Sequence, residues 1–187
     1  MANIIEMETE RLKLRQWKKE DYPSFAKINA DPDVMEYYPS VMSEEESNVM
    51  AHKFETLITN RGWGFWAVEK IEDNQFVGFV GLHEPTYDLT VTPCVEIGWR
   101  LGKEHWGCGY ASEAAKASLV VAFQKLNLSE VYSFTSVSNR MSRAVMERLG
   151  MSNANSNFEH PMIPEGSPLR EHVLYKIDRH SWSANAV

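Results

Sequence analysis

The chain has 187 residues, 43% of them hydrophobic and 24% charged, an ordinary globular composition long enough to bury a core. A formal net charge of −7 with no dense Lys/Arg run speaks against nucleic acid and anionic membrane as partners, and suits a cationic ligand such as an amine better. Cys94 and Cys108 lack metal-ligand or disulfide spacing, the six histidines form no pair at ligand spacing, and no apolar run would span a bilayer, so neither a metal site nor a membrane span is expected.

Glu6, Glu8 and Glu10 open the chain without an apolar segment, which does not read as a signal peptide and points to a cytoplasmic protein. From Arg11 to Trp17, Leu12, Leu14 and Gln16 alternate with Arg11, Lys13 and Arg15, the pattern of a half-buried strand. A helix is predicted from Asp21 to Asn29, and Asp31-Pro32 opens a further short helical turn. Ser43-Glu44-Glu45-Glu46 is a capping-box start, after which Val49, Met50, Phe54, Leu57 and Ile58 share one helical face. Residues 64–69 and 75–82 read as a hairpin around Asp73-Asn74. A strand from Cys94 to Leu101 leads into a glycine loop, then a helix from about Ala111 to Leu126 with Ala111, Ala115, Leu119, Ala122, Phe123 and Leu126 on its buried side. Residues 131–137 form a strand, and 139–149 a helix stopped by Gly150. Residues 151–158 and 171–177 read as final strands joined by a Pro-rich loop. The expected architecture is one α/β domain over residues 1–187, a mixed sheet flanked by helices.

The loop Trp106-Gly107-Cys108-Gly109-Tyr110-Ala111 carries the most chemistry. Two glycines let main-chain N–H groups turn toward a ligand, and the following helix N-terminus adds about half a positive charge. Such a loop makes a pyrophosphate cradle out of backbone, without a lysine.

This order of elements, with these motifs, resembles the GNAT superfamily of acetyl-CoA-dependent N-acetyltransferases, and within it the branch of ribosomal-protein N-terminal acetyltransferases. The likeness runs from Glu10-Arg11-Leu12-Lys13-Leu14-Arg15 to Val173-Leu-Tyr-Lys-Ile177. The family's pyrophosphate motif falls on Trp106, Gly109 and Ala111, with Trp106 where Gln or Arg is usual. A second match, Asn139-Arg-Met-Ser142 through Leu149-Gly-Met151, is similar to the family's N-x-x-S…L-G-[MF] segment.

The resemblance implies a mostly antiparallel sheet splayed between its fourth and fifth strands, here those of Ile97 and Val131, with the pantetheine arm in the gap. It implies main-chain contacts to acetyl-CoA from Trp99 and Leu101, pyrophosphate contacts from Gly107, Cys108, Gly109, Tyr110 and Ala111, and a side-chain contact from Asn139. Gly98 either introduces a bulge that opens the gap or permits close packing.

Acetyl transfer to an amine needs a neutral amine, help for the developing oxyanion and protonation of the leaving thiolate. A main-chain N–H at Trp99 or Leu101 would serve the oxyanion. Ser142, a turn beyond Asn139, is the candidate acid, its alternative being helix packing. Glu96, acidic within an apolar strand, is the candidate base through water, although alternation sets it opposite Leu101. His83, Glu84 and His105 are weaker candidates. Among the aromatics, Phe65 reads as core, while Tyr37 and Tyr38 stay open between core and acceptor groove. The segment from Phe158-Glu159-His160 through His172 and Tyr175 either shapes the acceptor side or supports it.

An α-amine of pKa near 8 pays roughly 1.4 kcal/mol to be neutral at pH 7, a lysine roughly 4.6 kcal/mol. That favours a peptide or protein N-terminal α-amine as the acceptor. A small-molecule amine (antibiotic or polyamine) and a non-catalytic acyl-CoA-binding module are the alternatives, in a monomer or homodimer. A dinucleotide oxidoreductase is disfavoured, because Gly107-x-Gly109-x-x-Ser112 lacks the third glycine or alanine of that fingerprint and the chain lacks repeated βαβ units.

Overall fold

The structure, a computed structural model, describes residues 2–185 and divides into two compact units. The first takes the chain up to Leu82 and then Gly98–Ser118; the second takes His83–Ile97 and the chain from Leu119 onward.

In the first unit the strands β1 (Met7–Glu8), β2 (Leu12–Arg15), β3 (Phe65–Lys70) and β4 (Phe76–His83) pair antiparallel in chain order. Leu12 and Leu14 are fully buried, as the alternation of β2 requires. Arg15 is buried as well, against the expectation of an exposed face. Its Nη1 and Nη2 donate to the two carboxylate oxygens of Asp21 at 2.8 Å each, and its Nε donates to Glu69 Oε2 at 2.9 Å. Those two anions make the burial of a guanidinium tolerable.

Helices α1 (Tyr22–Ala30) and α2 (Glu44–Arg61) pack against each other. Ser43 and Glu46 form the expected capping box, and Gly62, at φ +87°, ends α2 in the left-handed conformation. The buried stripe of α2 is Ser47, Ala51, Phe54 and Ile58, and Val49 lies outside it, 66% exposed. Asp31-Pro32 forms a turn and not a helix. Trp17, Phe25, Phe54, Phe65 and Phe79 fill the core with edge-on and tilted ring contacts of about 5–6 Å.

Strand β5 (Glu96–Leu101) runs out of the second unit into the first. The register shift in the first unit lies between Val68 and Glu69, opposite Gly78, which sits at φ +141°. A Cβ on Gly78 would lie 2.1 Å from the Arg100 carbonyl oxygen, so the bulge depends on glycine there. Gly98 instead packs closely: its Cβ would stand 3.3 Å from the Phe65 ring. Helix α3 (Tyr110–Val120) continues into a π-helical turn at Val121–Lys125. That turn rotates the end of the predicted helical stripe, so Val121, Ala122 and Phe123 are all buried while Leu126 is only partly so.

In the second unit β6 (Glu130–Ser136) pairs antiparallel with β9 (Glu171–Asp178) along its whole length. The region 151–158, predicted as one strand, holds two short ones, β7 (Ser152–Asn153) and β8 (Phe158–Glu159), both antiparallel to β9. Helix α4 (Arg140–Arg148) covers the face of β6 and β9 that carries Ser133, Thr135 and Tyr175. Tyr175 donates its hydroxyl hydrogen to Glu147 of that helix at 2.9 Å. A final helix, α5 (Arg179–Asn185), follows β9. The result is mixed α/β with mostly antiparallel pairing, as the sequence led us to expect.

A parallel register sets Glu96 of β5 opposite Tyr132 of β6. The Tyr132 N–H donates to Val95 O at 3.0 Å, and Ser133 Oγ donates to Ile97 O at 2.9 Å. These are the strands between which the splay is expected, and their shared register is confined to that position.

Candidate active site

The glycine loop is built within the first unit. Gly107 and Gly109 take φ of +73° and +81°, a region that only glycine enters freely. Gly107, Cys108 and Gly109 are exposed, and a Cβ on Gly107 would meet nothing within 4 Å. The glycine therefore shapes the chain without being crowded by it. Helix α3 begins at Tyr110, and its first ladder bond runs from Glu113 N–H to Gly109 O at 3.0 Å. The N–H groups of Tyr110, Ala111 and Ser112 stand outside that ladder, as in the first turn of any helix.

A carboxylate in the first turn, Glu113, would oppose an anion at this helix end. Arg11 answers it. Its Nε and Nη2 meet Glu113 Oε2 at 2.7 and 2.6 Å, its own N–H donates to Glu113 Oε1 at 3.0 Å, and Thr9 Oγ1 donates to the same oxygen at 2.6 Å. Burial works to raise the Glu113 carboxyl, but the hydrogen bonds from Thr9 and Arg11 outweigh it and hold the group below its ordinary value. Arg11 Nη1 also donates to Cys108 O at 3.0 Å, and the guanidinium lies 4.7 Å from the Tyr110 ring centroid. The loop is braced from outside and its helix end is relieved of net negative charge. These features suit a pyrophosphate, as acetyl-CoA would bring.

Trp106, unusual at its motif position, also has a task. Its indole Nε1 donates to Leu101 O at 3.0 Å, tying the loop to the end of β5. Trp99 is partly buried and Leu101 buried on that strand. The Cys108 thiol contacts the Trp106 carbonyl at 3.5 Å.

Glu96, Asn139 and Ser142 lie in the second unit. Asn139 caps α4: its Oδ1 accepts the Ser142 N–H at 3.1 Å, and its Nδ2 donates to Thr135 Oγ1 at 3.0 Å. The amide is thereby oriented, and Ser142 is partly exposed one turn along. Glu96 is partly buried at the β5–β6 register, and burial pushes its carboxyl up to about 8. Tyr132, opposite, donates its hydroxyl hydrogen to Glu130 Oε1 at 2.7 Å. Burial first, and then the Glu96 and Glu130 charges, raise the Cys94 thiol to about 11, which leaves it unreactive at neutral pH. Nothing joins Glu96 to Ser142 directly. Asn139 follows the far end of β6, at least four strand residues, about 13 Å, beyond Tyr132.

The face of β6 turned away from α4 carries Phe134, around which Phe158, His160 and His172 gather with ring centroids 5.7–6.4 Å away. His160 accepts the Met162 N–H at Nδ1, which sets its Nε2 toward the Tyr87 hydroxyl at 3.2 Å. Burial lowers His160 to about 4, the His172 charge adding to the effect, and burial lowers His172 too, so both rings are neutral at physiological pH. His105, one of the weaker candidates, is buried in the first unit, where desolvation lowers its pKa.

Among the described residues, no group of three or more His, Cys, Asp and Glu could hold a metal ion, and no helix is long and apolar enough to cross a membrane. The sequence reading missed Thr9, Arg11 and Glu113. Their brace joins residues about a hundred positions apart, and only the Glu10-Arg11 start of the family resemblance pointed to that region.

Comparison with known proteins agrees with this geometry. The family described as "Acetyltransferase (GNAT) domain" matches residues 11–152. The uncharacterized N-acetyltransferase YnaD of Bacillus subtilis is 29% identical over 182 residues, 94% of this chain and 98% of that protein. The FsC-acetyl coenzyme A-N(2)-transacetylase of Aspergillus fumigatus is 29% identical over 184 residues, 94% of this chain and 77% of that one. A crystal structure of a GNAT-family acetyltransferase from Bacillus anthracis, 28% identical, superposes with a TM-score of 0.78 over 94% of this chain and 99% of the other.

Proposed function

The chain belongs to the GNAT acetyltransferases, acetyl-CoA-dependent enzymes, and we propose that its acceptor is an α-amine, most simply the N-terminus of a peptide or protein. What supports this reading is the placement of a carboxyl, Glu96, at the β5–β6 register, where burial pushes it up to about 8. An α-amine titrates at about the same pH, so passing its proton to Glu96 through water is nearly thermoneutral. From a lysine the same transfer runs uphill by about 3 kcal/mol.

Acetyl-CoA supplies the activated acetyl group. Its pyrophosphate is assigned to the N–H groups from Gly107 to Ala111, with Arg11 holding Glu113 out of the way. Main-chain groups of Trp99 and Leu101 are assigned to the pantetheine arm and the developing oxyanion, with the N–H as the group offered at Leu101 because its carbonyl accepts from the Trp106 indole. Asn139 positions the first turn of α4, and Ser142 is the proton donor to the leaving thiolate.

A small-molecule amine is the second reading, and the Aspergillus relative, named an acetyl coenzyme A-N(2)-transacetylase, is compatible with it. The test is thiol release from acetyl-CoA with an N-terminal peptide, an N-blocked lysine peptide and spermine. The peptide α-amine should give the highest kcat/KM at pH 7.5; a higher value for the blocked lysine peptide or spermine overturns the assignment.

A further inference from the structure

Among the described residues of the first unit two arginines are buried, and one of them has a counter-ion. Arg15, 4% exposed, is clasped by Asp21 and Glu69. Arg100, 7% exposed, has no carboxylate partner among the described residues. Its Nη1 donates to Asn29 Oδ1 at 2.7 Å and lies 3.7 Å and 3.9 Å from the thioether sulfurs of Met50 and Met42. The guanidinium carbon stands 4.2 Å from the Tyr38 ring centroid and 5.6 Å from that of Phe79. Nε is buried with no partner. Nη2 has none either, and it keeps access to solvent.

An arginine does not shed its charge when buried, so this site holds a cation that the fold leaves uncompensated. The surroundings are nevertheless built. Asn29 is fully buried, and its Nδ2 donates to the equally buried Ser47 at 2.8 Å, which fixes Oδ1 on Arg100. The Met42 N–H donates to the Asn29 carbonyl at 2.9 Å, tying the segment after α1 to the same residue. Tyr38, 38% exposed, lays its ring against the guanidinium. A cation held rigidly, with one donor edge open and an aromatic cover, is prepared for an anion that arrives from outside.

We propose that Arg100, oriented by Asn29 and covered by Tyr38, recognises a carboxylate on the acceptor, so that the enzyme prefers amines that also carry a carboxylate. This rests on the reading that the acceptor is an amine. Arg100 lies between Trp99 and Leu101, whose main chain is assigned to the pantetheine arm, which sets the anion next to the strand that receives the acetyl donor. The chemistry excludes a polyamine as the preferred acceptor, since a second ammonium would meet the unpaired guanidinium.

Thiol release from acetyl-CoA tests this with amines paired as carboxylate and carboxamide: phenylalanine and phenylalaninamide, alanyl-alanine and its C-terminal amide, and peptides starting Ala-Glu and Ala-Gln. At least one pair should favour the carboxylate by about tenfold, chiefly through KM. Arg100→Gln should abolish that preference while its CoA affinity, read by titration, stays within about twofold. A wild type that distinguishes no pair by more than twofold, or an Arg100→Gln enzyme that keeps the preference, overturns the proposal. Should Arg100→Gln fail to fold, Tyr38→Ala replaces it, with a three- to tenfold rise in KM expected for the carboxylate members only; equal effects on both members count against the site. If no amine turns over at all, the reading of an amine acceptor fails by itself, and the Arg100 site is then judged by acetate. Acetate should raise the wild-type Tm saturably above a chloride control and leave Arg100→Gln unmoved; no acetate effect overturns the site as well.

Discussion

Glu96→Gln separates what this carboxyl costs the fold from what it contributes to the reaction. Burial lifts it from an ordinary 4.5 to about 8. Ionising it in the folded chain therefore costs free energy that the unfolded chain does not pay. At 1.36 kcal/mol per pH unit the full gap is on the order of 5 kcal/mol; the residue keeps some accessible surface, and screening by water brings it nearer 3 kcal/mol. An acid with a raised folded pKa makes its full contribution below pH 4.5 and loses it as pH climbs through 8. Urea unfolding should then give wild type and variant stabilities within about 1 kcal/mol of each other at pH 5. At pH 8.5 the variant should be more stable by about 3 kcal/mol, or roughly 6–12 °C in Tm. The same substitution should lower kcat by about 10²–10³ at pH 8, where wild-type Glu96 is half ionised. Equal stabilities at pH 8.5 would refute the burial argument, and an unchanged kcat the assignment of Glu96 as base.

Arg11→Gln should raise the Kd for CoA about tenfold by leaving the Glu113 carboxylate at the helix end without its counter-charge, and Glu113→Gln in the same chain should restore most of it; isothermal titration of the single and double variants reads both. Gly107→Ala, with nothing near its Cβ, should lose about 1–2 kcal/mol to backbone strain alone and remain folded by circular dichroism. Gly78→Ala, whose Cβ would sit 2.1 Å from the Arg100 carbonyl oxygen, should yield no folded protein by the same measurement. Asp21→Asn strips one anion from buried Arg15 and should cost about 3–5 kcal/mol in chemical denaturation, far more than a surface ion pair.

The parts of the structure legible in the sequence are those in which one short segment decides its own conformation. The Ser43–Glu46 cap, the Asp73-Asn74 hairpin, the Gly150 stop and the two glycines before α3 all appear where local chemistry puts them. Expectations failed where tertiary packing competes with local pattern. The π-helical turn at Val121–Lys125 changes which residues of that stretch are buried, and no spacing rule announces it. Val49 suits an apolar face as well as Ala51 does, yet α2 turns Ala51 inward, on the stripe it shares with Phe54, Ile58 and Ser47, the last bonded to Asn29. The segment after Met151 splits into two short strands because Asn155 stands between them in the left-handed region, at φ +52°, and interrupts the extended chain.

Cofactor and acceptor differ in legibility for the same reason. A pyrophosphate can be held by main chain alone, and the glycines that free the main chain, Gly107 and Gly109, lie in one short segment. An acceptor is held by side chains whose partners come from distant elements, and identical letters then carry opposite roles. Arg15 and Arg100 both sit on strands beside leucines, and alternation would send either one to solvent. Arg15 finds carboxylates 6 and 54 residues away and becomes structural. Arg100, bonded to Asn29 71 residues away, finds an amide and an aromatic face and keeps its charge unanswered. A fold selected for stability alone would replace such a residue with an apolar one of similar volume and become more stable. That it stands in the strand assigned to acetyl-CoA is the physical ground for assigning its missing counter-charge to the substrate.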